Sequence, residues 1–391
     1  MIIGITAEWN PFHLGHAYMV EHLKREYPDA RLLAVMSGPF VQRGEPALFD
    51  KWARASWAVQ AGVDAVLELP GTAALQSADR FAESAVLHLH TLHCTHIAFG
   101  TESATVQELQ EAARWAASDE YLSVLHSFLK QRLPYGQAMT ATMRSRFPKL
   151  AEKLMLPNNL LGFRYASAII RHKLPIQIIA IPRKTEGTVS ATAIREQLLS
   201  GHFMEYLPDF VQQDVKCLLA SRHYTDYKRY EEACLLRSRF LPLKALSDSG
   251  LFSEGLEHRW FSCMKSGNYE NALLKIKNRR YPYRRLKRIG AALLLSQGQG
   301  PSPYASMHQP AFLRLLAMKK GAGCLLKDPR IPIIVSEARA ERTLSPDIRT
   351  ALLQECLAED IFSFCQEEEG FRQAGIDVYK RQAFPFSVMP S

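Results

Sequence analysis

The sequence predicts an α/β protein: a doubly wound, parallel, Rossmann-like sheet followed by a mostly α-helical C-terminal half. Three observations point there. Short apolar runs alternate with helix-length amphipathic stretches through the first half, as they do where helices cover both faces of a parallel sheet. The unusual local sequences fall directly after those apolar runs, at the carboxyl ends of the strands, where such sheets bind ligands. Beyond about Ser200 the strand-like runs thin out, and Lys/Arg-faced helical patterns replace them.

In chain order, strands are expected at Ile2–Ala7, Arg31–Met36, Ala65–Leu69, His96–Phe99 and Ile176–Ile181. Helices are expected between them near Gly15–Glu26, Asp50–Gln60, Asp79–His93 and Val106–Ala117. The second half reads as helices such as Leu207–Leu219, Glu254–Met264 and Arg284–Leu295, with Ile331–Val335 as one stray strand. At 391 residues the chain is long enough for two cores, since single cores rarely exceed roughly 250–300 residues. The boundary is placed near Ser200–Leu207, giving expected domains 1–203 and 204–391.

Hydrophobic content of 47% and charged content of 22% are those of an ordinary globular protein, which excludes wholesale disorder and fibrous classes. The net charge of +9 favours a polyanionic partner only where the cations cluster. The 7 cysteines are odd in number and far apart, without zinc-like spacing, so reduced thiols are expected. The start Met1-Ile2-Ile3-Gly4-Ile5 lacks a basic region and turns polar at Glu8, unlike a signal peptide, and no apolar run approaches the roughly 18 residues of a membrane span. A cytoplasmic location and no membrane partner are the expectation.

The segment Ala7-Glu8-Trp9-Asn10-Pro11-Phe12-His13-Leu14-Gly15-His16 carries the most chemistry. Pro11 ends the first strand's turn, and a helix begins near His13, offering free backbone N–H groups and a positive dipole end to phosphate. His13 and His16, spaced i and i+3, leave the first turn on one side. Their imidazoles suit hydrogen bonding to phosphate oxygens while charge builds at an α-phosphorus. Gly15 between them would let a flat nucleoside lie against backbone. A solvated helix start with incidental histidines, or a metal pair, is the alternative; no third metal ligand stands nearby.

Strand, Asn-Pro turn and His-x-Gly-His resemble the nucleotidylyltransferase superfamily, which includes the class I aminoacyl-tRNA synthetases. Ser190-Ala191-Thr192-Ala193-Ile194-Arg195 resembles that superfamily's Ser/Thr-x-x-Ile-Arg loop, which grips the triphosphate; helix capping by Ser190 is the plainer account of the serine alone. Ser37-Gly38-Pro39-Phe40-Val41-Gln42-Arg43-Gly44-Glu45-Pro46, Lys51-Trp52-Ala53-Arg54, Glu68-Leu69-Pro70, Phe99-Gly100-Thr101-Glu102 and Pro157-Asn158-Asn159-Leu160-Leu161-Gly162 narrow the resemblance to the bacterial tRNA(Met) cytidine acetate ligase family. Glu254-Gly255-Leu256-Glu257 and Asn278-Arg279-Arg280-Tyr281-Pro282-Tyr283-Arg284-Arg285-Leu286 extend it into the second half. Trp9, Leu14 and Pro39 depart from the usual pattern, and the stretch from Arg183 to Ser190 is short. The acidic run Glu367–Glu369 and the tail from Gly375 match it poorly.

That resemblance implies a nucleotidylyltransferase-type first domain and an enzyme that activates acetate with ATP. The acetyl-adenylate formed then acetylates N4 of the wobble cytidine, position 34, of elongator tRNA(Met). It implies ATP contacts from Ala7, Glu8, Asn10, Pro11, Phe12, His13, Gly15 and His16, from Gly100, Asn158 or Asn159, and Arg183, and from Ser190, Thr192 and Arg195. His13, His16, Arg43 and Arg195 are the expected catalytic set, with Arg43 a partner for acetate or a plain surface residue. Mg²⁺ is expected with the triphosphate, with no protein ligand named. Lys51 and Arg54 read as helix-surface residues or RNA contacts.

Lys275, Lys277, Arg279, Arg280, Arg284, Arg285, Lys287 and Arg288 form a basic run without an acid, interrupted by Tyr281 and Tyr283. Cations for phosphates and tyrosines for unpaired bases suit an RNA-binding element; a solvated helix face is the ordinary alternative. Helical spacing turns Leu286 and Ile289 inward and Arg284, Lys287 and Arg288 outward. The competing enzyme reading is a nucleotidylyltransferase that adenylylates a phosphorylated cofactor precursor, for which a long basic helical half has no use.

Overall fold

A computed structural model describes residues 1–183, 189–202, 204–265, 267–297, 300–306, 309–327, 330–336, 340, 342–375 and 385–386. The shortened stretch after Arg183 and the tail after Gly375 therefore lie largely outside the described residues. The strands are β1 (Ile2–Ala7), β2 (Arg31–Ser37), β3 (Phe40–Val41), β4 (Glu45–Pro46), β5 (Ala65–Leu69), β6 (His96–Thr101), β7 (Gln177–Pro182), β8 (Leu313–Lys319), β9 (Ile333–Ile334) and β10 (Pro385–Phe386).

The main sheet runs β10-β8-β5-β2-β1-β6-β7, with β9 beside β8. Its first-half strands are all parallel, with Ile2 opposite Arg31 and His96 opposite Gln177. The direction of winding reverses between β1 and β6, and an α/β sheet opens its ligand crevice at such a switch point. Side chains alternate between the two faces: Leu33 and Val35 enter one core while Leu32, Ala34 and Met36 enter the other. Helices Ala78–Thr91, Val106–Ala116 and Pro157–Arg171 cover the first face; Leu14–Glu26, Lys51–Ala61 and Asp209–Ala220 cover the second.

The expected parallel sheet is extended by a strand from the second half. β8 pairs antiparallel with β5, so residues past 204, expected as helical, also widen the sheet. Around it the helices Tyr227–Phe240, Leu256–Cys263, Tyr269–Ile276, Tyr283–Leu295 and Pro346–Phe364 build a separate core on Trp260, Tyr269, Leu286 and Phe362. Phe40, Val41 and Ala47 join that core, so the small β3–β4 hairpin bridges the two bodies. No described helix is long and apolar enough to cross a membrane.

Lys51 and Arg54, expected on a helix surface, are fully buried. Lys51 Nζ lies 3.4 Å from Glu68 and 3.1 Å from Glu359, and Arg314 of β8 pairs with the same Glu68. The charges go inward because a buried carboxylate on β5 and another on the Pro346–Phe364 helix await them. Tyr281, expected to stack on RNA bases, is 6% exposed and packs in the helical core. The Tyr283 hydroxyl is held by Glu270.

Candidate active site

The site is built on the turn that follows β1. Trp9 takes a left-handed backbone (φ 44°), and Asn10 and Phe12 are buried beneath the turn. The Asn10 carboxamide accepts the Leu48 N–H at 2.8 Å. Arg54 fastens the neighbouring strand ends, donating to the carbonyls of Phe49 (3.1 Å), Glu8 (2.6 Å), Ser37 (3.1 Å) and Gly38 (2.5 Å). A side chain first read as surface is thus the tie that shapes the cleft.

His13 caps the helix that starts at Leu14, and the two histidines close the cap reciprocally. Nδ1 of His13 accepts the Gly15 N–H at 3.1 Å, and Nδ1 of His16 accepts the His13 N–H at 3.2 Å. This is a capping box made with imidazoles in place of a hydroxyl and a carboxylate. An accepting Nδ1 carries no proton, so each neutral ring bears its N–H at Nε2. Desolvation, then the Arg183 cation, pulls the His13 pKa down to about 4. Desolvation, His13 and Arg183 hold His16 well below the usual value. Both therefore work as neutral donors.

A Cβ at Gly15 would lie 2.9 Å from His13 Cε1, so the missing side chain makes room for the His13 ring.

Across the switch point, Gly100 is the penultimate residue of β6, and a Cβ there would press on the Arg183 side chain at 3.2 Å. Arg183 reaches Glu102 at 3.6 Å and remains 42% exposed, facing the histidines. Asn158 donates to Glu102 at 2.7 Å. Asn159, fully buried, has its carbonyl oxygen on Thr101 (2.7 Å), Glu102 (3.0 Å), Ser103 (3.3 Å) and Ala104 (3.4 Å). Its amide donates to Ser103 Oγ and the Lys153 carbonyl. Asn159 shapes the loop after β6, and its hydrogen-bonding groups are already taken.

The helix Ala191–Leu198 closes the other side. Ser190 caps it, accepting from Ala193 N–H at 3.2 Å. Arg195 spans back to the first motif, donating to the Asn10 carbonyl at 2.7 Å, and pairs with Glu45 at 3.4 Å. Arg43 donates to Thr192 Oγ1 at 2.7 Å, and Glu8 accepts the Gln42 N–H at 2.8 Å. Glu45 also pairs with Lys287 at 2.5 Å, joining the basic helix to the cleft. In the sequence Glu45 stood only within the Ser37–Pro46 motif and Lys287 was expected to face outward; their separation along the chain hid the pairing.

Ala7, Glu8, Asn10, Pro11, Phe12, His13, Gly15 and His16 follow β1, Arg43 lies in the β3–β4 hairpin, Gly100, Asn158 and Asn159 lie at the end of β6 and on the helix beside it, and Arg183, Ser190, Thr192 and Arg195 follow β7, so all stand near the carboxyl ends of the strands on either side of the switch point. Neutral imidazole donors on a helix N-terminus, with the Arg183 cation acting on them, can stabilise charge on phosphate oxygens.

The family described as HIGH Nucleotidyl Transferase matches residues 1–375. A tRNA(Met) cytidine acetate ligase of Listeria monocytogenes is 31% identical over 95% of this chain and 96% of the relative. The Bacillus subtilis protein of that name is 29% identical over 84% of each chain. A crystal structure of Thermotoga maritima TmcAL bound with alpha-thio ATP superposes with a TM-score of 0.90 at 26% identity, covering 98% of this chain and 99% of that one.

Proposed function

Because the chain belongs to the tRNA(Met) cytidine acetate ligase family of the HIGH nucleotidyl transferases, we propose that it uses ATP to join acetate to the wobble cytidine of elongator tRNA(Met). An acetate oxygen attacks the α-phosphorus of ATP and pyrophosphate leaves, giving acetyl-adenylate. The N4 amine of the cytidine then attacks the acetyl carbon, AMP leaves, and the amine gives up one proton. The product is N4-acetylcytidine.

The reciprocal imidazole cap at the β1–β6 switch point is the observation that carries this reading. It presents two Nε2–H donors in a desolvated place, prepared for charge that grows on α-phosphate oxygens in the transition state. Arg183 faces the same oxygens from the end of β7. The helix N-terminus at Ser190 and Thr192, with Arg195 behind it, takes the β- and γ-phosphates. Arg43, anchored on Thr192, meets the acetate carboxylate. Mg²⁺ carried by the triphosphate would neutralise phosphate charge, and among the described residues no group of three or more His, Cys, Asp or Glu side chains offers it a site of its own.

The first test is ATP–pyrophosphate exchange without RNA. Exchange that requires acetate supports the reading. Exchange that ignores acetate and follows a phosphorylated acceptor would place the chain with the cofactor-forming nucleotidylyltransferases.

A further inference from the structure

The Pro346–Phe364 helix, the turn after β5 and the segment that leads into β8 do not close on one another. Between them lies a cavity of about 450 Å³. Its inner end is walled by Ala73, His88, Phe312 and Glu355, all buried, and its mouth by exposed residues such as Gln309 and Thr350. Protein interiors pack as densely as organic crystals, and few gaps in them exceed a water molecule. This one has room for roughly 15 waters at the volume each takes in the liquid. That is the size of small-molecule sites. None of its lining residues belongs to the nucleotide crevice.

The walls define what they can hold. Pro70, Ala73, Pro303, Pro310, Phe312 and Ala351 make them largely apolar, and among the described residues no lysine or arginine lines the cavity, so an anion finds no counter-charge there. Burial, then Glu68, push the Glu355 carboxyl towards its neutral form, so the inner end does not call for a cation either.

His88 supplies the specific feature. Its Nδ1 lies 2.7 Å from the Ser84 carbonyl, one helical turn back, and donates to it. Desolvation holds the ring neutral, with its pKa lowered to about 4. A neutral imidazole that donates from Nδ1 carries only a lone pair at Nε2. That Nε2 is buried without a hydrogen-bond partner. A buried acceptor left unmet is costly, and a donor brought by a ligand removes the cost.

We propose that this cavity binds a neutral, largely apolar small molecule with one N–H or O–H donor, which His88 Nε2 accepts and thereby orients. The site stands apart from the chemistry at the β1–β6 switch point, and its test needs neither acetate nor tRNA.

The test uses the full chain and two probes of one shape: indole, which has an N–H donor, and benzofuran, which has none. Binding constants are taken from NMR titrations of the probe signals. The unaltered enzyme is expected to favour indole, and the preference should fall about tenfold in H88F, which still binds both probes. A351F places a ring in the cavity from a half-buried position and should weaken both probes by about tenfold. Saturating ATP should displace neither. Failure of the unaltered enzyme to bind either probe, an unchanged preference in H88F, or unchanged binding in A351F would overturn the proposal. So would displacement by ATP, which would assign the probes to the nucleotide crevice. Should H88F fail to fold, the histidine ring signals of the unaltered enzyme decide the same point: one that moves with indole and not with benzofuran supports the proposal, and none that does so overturns it.

Discussion

His13 and His16 stack with ring centroids 3.7 Å apart and an interplanar angle of 26°, each with its Nδ1 taken by a backbone N–H. Histidine supplies the helix cap and, in the proposed mechanism, the phosphate donors, so proton state, ring orientation and backbone turn are one arrangement. On that proposal, replacing either ring removes a donor from the α-phosphate. In ATP–pyrophosphate exchange, H16A is expected to lower kcat by about 10²–10³ while changing the KM for ATP far less. Equal losses in both would refute a transition-state role.

The same arrangement sets a pH limit. His13 is pulled down to about 4, so protonation at Nδ1, which would break the cap, waits until the pH approaches that value. The acid limb of the exchange rate should lie well below the ordinary histidine range. A limb at about 6.5, abolished in H13Q, would contradict the neutral-donor assignment.

Arg195 bridges two motifs far apart in sequence by its bonds to the Asn10 carbonyl and Glu45. Lysine keeps the charge and cannot span both acceptors. R195K is expected to cut exchange by more than about tenfold at saturating ATP. Activity close to wild type would mean that charge alone matters there.

Asn159 holds the loop after β6 through one fully buried side chain. N159A leaves several loop donors without an acceptor and should destabilise the fold by about 2–4 kcal/mol, read as a lower denaturant midpoint. An unchanged midpoint with a raised KM for ATP would instead make Asn159 a nucleotide contact.

Glu355 of the Pro346–Phe364 helix accepts the Gly71 N–H at 2.7 Å, and burial, then the nearby Glu68, pushes its carboxyl up to about 7. A folded-state value above the unfolded one means that the native state binds the extra proton between about pH 4.5 and 7. Stability from this group is present below that window and is lost as pH rises through it. E355Q should match the wild type near pH 5 and exceed it in thermal stability near pH 8. Parallel pH profiles of the two proteins would show that Glu355 stays ionised.

The strand ends were legible because a parallel sheet writes them plainly: apolar runs stop, and Asn-Pro, Glu-Leu-Pro or Phe-Gly-Thr-Glu follow. The histidine pair was legible for the same reason, as two ring nitrogens one helical turn apart at a strand's end. β8 was not, because Arg314 interrupts its apolar run, and Arg314 is buried in a pair with Glu68 of β5. Lys51, Arg54 and Tyr281 misled in the same way. Local spacing gives the side of a helix, while burial of a charge depends on a partner contributed from elsewhere in the chain. The contact of Gly15 with the His13 ring was not legible, because the ring folds back over the glycine only once the cap has formed.

The most direct test incubates the enzyme with ATP, isotopically labelled acetate and total tRNA, digests the RNA, and identifies the labelled nucleoside. Label in N4-acetylcytidine, recovered from elongator tRNA(Met) and dependent on ATP, is the expected result. Label in another nucleoside or no labelled RNA, alongside active acetate-dependent exchange, would contradict it.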